Sequence, residues 1–211
     1  MRSSKFVLSL LLCAAAARAN NLDPQNPRRA VGREDDVRID AQLHQDVVSP
    51  GSPIGVVYQI QNLTATPVAI ADRTAECTYD SDSGTVTLSI GSEVPANGTL
   101  PRMTLIAPGE KKTFQASALL RVNLPSIRSP FVAQPRFVQV KVSFLRDSSP
   151  IASLIDRQTK APATAIALSD AQFDRWLEST DTIFLNALPV RYNPKARAST
   201  TDAERREAGS F

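Results

Sequence analysis

Residues 136–144 read Arg136-Phe137-Val138-Gln139-Val140-Lys141-Val142-Ser143-Phe144. Val138, Val140, Val142 and Phe144 alternate with Phe137, Gln139, Lys141 and Ser143, which is a period of two. Successive side chains of an extended strand point to opposite faces, whereas a helix repeats its apolar face every 3–4 residues. The alternation predicts a strand with one face in a core.

The same pattern recurs on the N-terminal side. In residues 37–44, Val37, Ile39, Ala41 and Leu43 alternate with polar partners, as in a half-buried strand. Ile54 to Gln61 reads as a strand with Val56, Tyr58 and Ile60 on one face. Val68-Ala69-Ile70, a run through Cys77 with Ala75 and Tyr79 beside it, and Thr85 to Ile90 continue the series. Asp80-Ser81-Asp82-Ser83-Gly84 is a hairpin signal between two of these runs. Met103 to Ile106 and Lys111 to Leu120 follow, the latter with Phe114, Ala116 and Ala118 facing one way. The proline-rich residues 125–135 read as a long connection, and Ile151 to Ile155 and Ala163 to Leu168 as further strands. Short strands separated by Pro/Gly turns predict an all-β sandwich, with a barrel as the alternative.

Three segments carry the turn chemistry: Ser49-Pro50-Gly51-Ser52-Pro53-Ile54, a β run ending Gln61-Asn62-Leu63-Thr64, and Ala107-Pro108-Gly109-Glu110 before Phe114. In this order they resemble bacterial extracytoplasmic Ig-like domains over roughly residues 37–168. The resemblance implies an Ig-like β-sandwich and no particular activity. The Cys…Trp…Cys spacing of antibody-type domains is absent.

The first 19 residues, MRSSKFVLSLLLCAAAARA, have the three parts of a signal peptide. Arg2 and Lys5 precede an apolar run too short for a membrane span of about 20 residues, and Ala17-Arg18-Ala19 ends it. Export to the periplasm or the exterior is expected. Cys13 follows Leu10-Leu11-Leu12, which makes lipid anchoring an alternative, although Leu12 stands where a lipoprotein signal carries a small residue. Arg2, Lys5 and Arg18 leave with the signal and no acid does. The 24 Lys+Arg, less those three, then equal the 21 Asp+Glu. A balanced chain lacks the net positive charge usual for nucleic-acid binding. No later segment is apolar enough for a transmembrane helix.

Residues 20–36 read as a flexible leader and 193–211 as a disordered tail, since both are polar and aperiodic. Between 169 and 192 the pattern changes. Ser169 with Gln172 forms a capping-box signature for a short C-terminal helix, and Thr182 to Leu185 offers one more strand. Phe173, Trp176 and Leu177 share a helical face. They face either the sandwich or a partner, and Phe173 and Trp176 are the candidate partner-binding residues.

Chemistry is sparse. His44 is the only histidine and lies on the polar side of its strand, with Asp46 close in sequence. Cys77 is the only cysteine after the signal, so no intramolecular disulfide forms, and it reads as a buried, inert thiol. One His and one Cys exclude a zinc site built from those ligands. The segment 80–84 lacks the remaining acids of a calcium loop. No G-x-S-x-G elbow or glycine-rich phosphate loop occurs. The sequons Asn62-Leu63-Thr64 and Asn97-Gly98-Thr99 fall in expected loops. No catalytic, cofactor or metal residue is assigned. The expected function is that of a non-enzymatic binding or structural module of the bacterial cell envelope, engaging a protein or glycan. A carboxylate-dependent hydrolase and a periplasmic chaperone are the alternatives.

Overall fold

The computed structural model describes residues 22–120 and 134–194. The signal with Cys13, most of the proline-rich connection and the tail beyond residue 194 lie outside the described residues.

The strands are β1 (Arg29–Glu34), β2 (Val37–Leu43), β3 (Val47–Val48), β4 (Pro53–Asn62), β5 (Val68–Ile70), β6 (Ala75–Asp80), β7 (Thr85–Ile90), β8 (Thr104–Ile106), β9 (Lys111–Leu119), β10 (Phe137–Leu145), β11 (Thr180–Phe184), β12 (Leu188–Pro189) and β13 (Arg191–Tyr192). Two helices, α1 (Ala152–Lys160) and α2 (Asp170–Ser179), fall between β10 and β11. The fold is mostly β. Sheet one has the order β1-β2-β4-β9 and is antiparallel throughout. Sheet two runs β6-β7-β10-β5-β8, with β11 and β12 also paired to β10. β7 and β10 run parallel, with Phe137 opposite Thr85 and Val142 opposite Ile90. A parallel pair needs a crossover, and here the chain passes through β8 and β9 between them.

The sequence alternation is what joins the two sheets. Ile39, Ala41, Val56, Tyr58 and Ile60 of sheet one and Val86, Leu88, Ile90, Val138, Val140 and Val142 of sheet two are fully buried in one shared core. A second cluster gathers Ala69, Leu145, Ile151, Leu154, Ile155 and Trp176, and it docks both helices at the β5 end.

Three sequence readings are corrected. Residues 20–36 are not a flexible leader throughout, because Arg29–Glu34 forms β1 against β2. Its inward residues are Ala30 and Gly32, too small to show as apolar periodicity. A Cβ on Gly32 would lie 2.6 Å from Ile183 Cγ2, so the small residue is what lets β1 close onto β11. Residues 151–155 are not a strand. Ile151, Leu154 and Ile155 are buried at helical spacing, and Pro150 in the preceding 3-10 turn suits a helix start. Residues 163–168 form no strand but a single bridge between Ala167 and Thr99, because Pro162 and the adjacent turns leave no alternating run long enough to pair.

Asn186 holds the β1 seam shut. Its Oδ1 accepts from Val31 N at 2.6 Å, and its own N–H donates to Val31 O at 3.4 Å. Asn186→Ala removes the side-chain acceptor from a strand that pairs with β2 alone in its own sheet. A loss of about 1–2 kcal/mol is expected, with the Val31 amide exchanging faster by hydrogen-exchange NMR. Unchanged exchange at Val31 would mean the seam is held elsewhere.

Candidate functional site

With Val138, Val140, Val142 and Phe144 committed to the core, Phe137, Gln139 and Lys141 face outward, while Ser143 on the same side is buried, its hydroxyl against Glu93. The neighbouring registers then assemble a face. β7 sets Thr85, Thr87 and Ser89 opposite Phe137, Gln139 and Lys141. β6 adds Asp80, Thr78 and Glu76. On the other flank β11 places Phe184 opposite Lys141 and Thr182 opposite Ser143, and β12 places Pro189 opposite Phe137. The result is a plate of hydroxyl-bearing and charged side chains, with Gln139 and two aromatic rings, Phe137 and Phe184, among them.

Those rings are the face's least expected feature. Phe137 is 40% exposed and Phe184 56% exposed. Lys141 Nζ lies 5.5 Å from the centroid of the Phe184 ring, within cation–π range. The same ammonium bonds Glu93 Oε1 at 2.7 Å. Thr182 Oγ1 and Ser143 Oγ donate to that carboxylate oxygen at 3.1 and 3.4 Å. The Lys141 bond, aided by these hydroxyls, holds the Glu93 carboxyl below its ordinary range. Phe184, Lys141 and Glu93 therefore form one ordered cluster on the open face.

Trp176 supports this cluster from behind, which corrects its place as a partner-binding residue. It is 1% exposed, and its Nε1 donates to Glu93 O at 3.0 Å. The capping box forms as expected: Ser169 Oγ accepts from Gln172 N, and Gln172 Oε1 accepts from Ser169 N. α2 turns its large aromatic inward because an indole finds there both apolar contacts and a carbonyl for its N–H. Phe173 is half-buried on the same helix and Leu177 is exposed. Phe173 lies on α2 and is no part of the β10–β11 face.

Among the described residues no catalytic set assembles around His44. The imidazole is exposed and lies over Gly55, where a Cβ would be 2.7 Å from Nδ1. Asp46 pairs with Arg191 at 2.9 Å rather than with His44. Ser117 lines the same shallow cleft, but no hydrogen bond joins it to His44 and no carboxylate lines that cleft. Cys77 is half-buried, and its Sγ donates to Ala118 O at 3.5 Å. Burial pushes the thiol up to about 12, so it stays protonated and unreactive at neutral pH.

Acids do gather in a cleft of about 460 Å³ between the end of β10, α2 and β11. Each is committed to a neighbour. Asp181 accepts from Arg146 Nε at 2.8 Å, Glu178 pairs with Arg175 at 3.0 Å, and Asp147 Oδ1 accepts from Ser149 N at 2.9 Å. Arg146 also reaches Asp35 at 2.9 Å, tying the β1–β2 turn to sheet two. A general acid needs a raised pKa, whereas the hydrogen bonds from Ser149 hold Asp147 below the ordinary range.

The Asp80–Gly84 segment is a hairpin turn. Asp80 accepts from Asp82 N and Ser83 Oγ, and Gly84 has a positive φ of 68°. Among the described residues no group of three His, Cys, Asp or Glu side chains is placed to hold a metal. The two sequons differ. Asn62 ends β4 fully buried, with Nδ2 donating to Thr66 O and Ile106 O, whereas Asn97 is exposed in a turn. Among the described residues no helix is long and apolar enough to cross a membrane.

Compared with protein-family models, curated proteins and solved structures, the chain matches none.

Proposed function

We propose that this chain is an exported, non-enzymatic binding module of the bacterial cell envelope, built on an Ig-like sandwich, and that it docks a partner protein on the open face of sheet two. The observation that carries this reading is the pair of exposed rings, Phe137 and Phe184, on the outer face of adjoining strands. A ring on a solvated sheet face does not serve the core, and aromatic side chains concentrate binding energy at protein interfaces. Four residues along β10, about 13 Å, separate Phe137 from the Lys141 position opposite Phe184. That spacing gives a partner two anchors with the Lys141–Glu93 pair beside one of them. The surrounding Thr, Ser and Gln side chains supply a polar rim of the kind interfaces have. The signal-like start of the sequence supports export, and the turn residues near Pro50 and Pro108 support the Ig-like assignment.

The variant Phe137→Ser with Phe184→Ser tests the docking surface. Both rings lie outside the core, so the melting temperature is expected to stay within a few degrees of wild type. Affinity for the partner retained by the wild-type protein is expected to fall more than about tenfold, as for paired aromatic anchors. Undiminished affinity in a folded double variant would reject this face as the docking surface.

A further inference from the structure

The outer face of sheet one carries a different chemistry. Its register places Arg33 opposite Arg38, Arg38 opposite Gln61, and Gln61 opposite Lys111. Three cations and one amide thus form a single row across four strands, about 14 Å from end to end at the usual strand spacing. Arg33 and Lys111 are exposed, and the Arg38 side chain is 42% exposed. Like charges directly opposite one another on a sheet destabilise it, so the Arg33–Arg38 pairing costs the fold stability.

The acids nearby only partly offset this. Asp36 approaches Arg33 at 3.9 Å. Asp40, 7% exposed, accepts from Arg29 at 2.8 Å and from Arg38 at 3.2 Å. One carboxylate between two guanidinium groups orients both and leaves a net positive charge. Glu110 pairs with Lys112, and Lys111 has no carboxylate partner among the described residues. Beyond the basic row lie Val31, Asp40, Gln59 and Thr113, then Arg29, Gln42, the half-buried Val57 and Gln115.

We propose that this face binds a carboxylate-bearing polysaccharide, with Arg33, Arg38 and Lys111 taking the carboxylates. A guanidinium fork matches a carboxylate with two parallel hydrogen bonds, and the adjoining amides and hydroxyl bond sugar hydroxyls. Among the described residues the face holds no aromatic side chain. Tyr58 and Phe114 of the same strands point inward and stack at 5.2 Å. Single-stranded nucleic acid, which stacks its bases on aromatic rings, is therefore a poorer fit. So is a lipid surface, because among the described residues of sheet one's strands the large exposed apolar ones are Val31 and Leu119, on opposite edge strands.

The test is binding of the purified protein to immobilised polygalacturonate at low and moderate salt. Arg33→Gln with Lys111→Gln is compared with Arg157→Gln plus Lys160→Gln, which removes the same charge from α1. The wild type and the α1 variant are expected to bind alike, more weakly as salt rises, and the row variant roughly tenfold or more weaker. The row variant is also expected to melt no lower than wild type, since it relieves the repulsion with Arg38. Three results would overturn the proposal: no binding by the wild type, equal weakening in both variants, or tighter binding to double-stranded DNA or anionic phospholipid vesicles than to polygalacturonate.

Discussion

Gly91→Ala is expected to destabilise the protein by more than about 4 kcal/mol, the range reached when a substitution forces backbone apart or leaves buried groups unpaired. Gly91 follows the last residue of β7 with φ at +90°, a region that side-chain-bearing residues rarely occupy. A Cβ there would lie 2.0 Å from Ser143 O and 3.0 Å from Ser143 C. The obstacle is backbone of β10, held between β7 and β11, and no rotamer change can clear it. Gly91 N also donates to Thr74 O, which fixes the loop from the other side. Gly109→Ala is the control. Its φ of +73° carries the backbone strain, but nothing lies within 4 Å of its Cβ, so a cost of only about 1–3 kcal/mol is expected. Urea denaturation of both variants separates the contact from the strain. Equal midpoints would mean that β7 and β10 do not cross this closely.

Trp176→Ala is expected to cost about 3–5 kcal/mol, as for other large core truncations. α2 has ten residues, too few to hold a helix without tertiary contacts, and Trp176 is its one buried side chain. The substitution also leaves Glu93 O without its indole donor. The effect should reach the binding face, because the Glu93 carboxylate meets Lys141, Ser143 and Thr182 there. Trp176 is the only tryptophan in the chain, so its fluorescence reports its surroundings directly. In the wild type, emission should be blue-shifted and poorly quenched by acrylamide until urea unfolds the protein. Strong quenching in the folded state would place the indole in solvent and remove the support for Glu93.

The contrast between these two sites shows what the sequence carries. Wherever inward residues were large and alternating, as at Val138 to Phe144 or Val56 to Ile60, the strand and its buried face were legible. β1 was not, since Ala30 and Gly32 bury almost no side chain and their place depends on Ile183, 151 positions away. At Ile151-Ala152-Ser153-Leu154-Ile155 both periods fit so short a run, and only contact with the second cluster selects the helix. The capping box at Ser169 was legible because it is a local bond pattern. Trp176's orientation was not, because it rests on Glu93 from a distant loop. The candidate face was half visible. Alternation along β10 put Phe137 and Lys141 on the outer side, but Phe184 joins them only through the β10–β11 register, which no local signal sets.

The most direct test of the binding face is site-specific photo-cross-linking in the native host. A photoreactive residue is placed at Phe184 on sheet two or, as the control, at Thr113 on sheet one. A discrete protein adduct from position 184, absent from position 113 and lost when Phe137→Ser is added, is the predicted result. No adduct at 184, or the same adduct from both positions, would contradict the assignment of this face as the protein-docking surface.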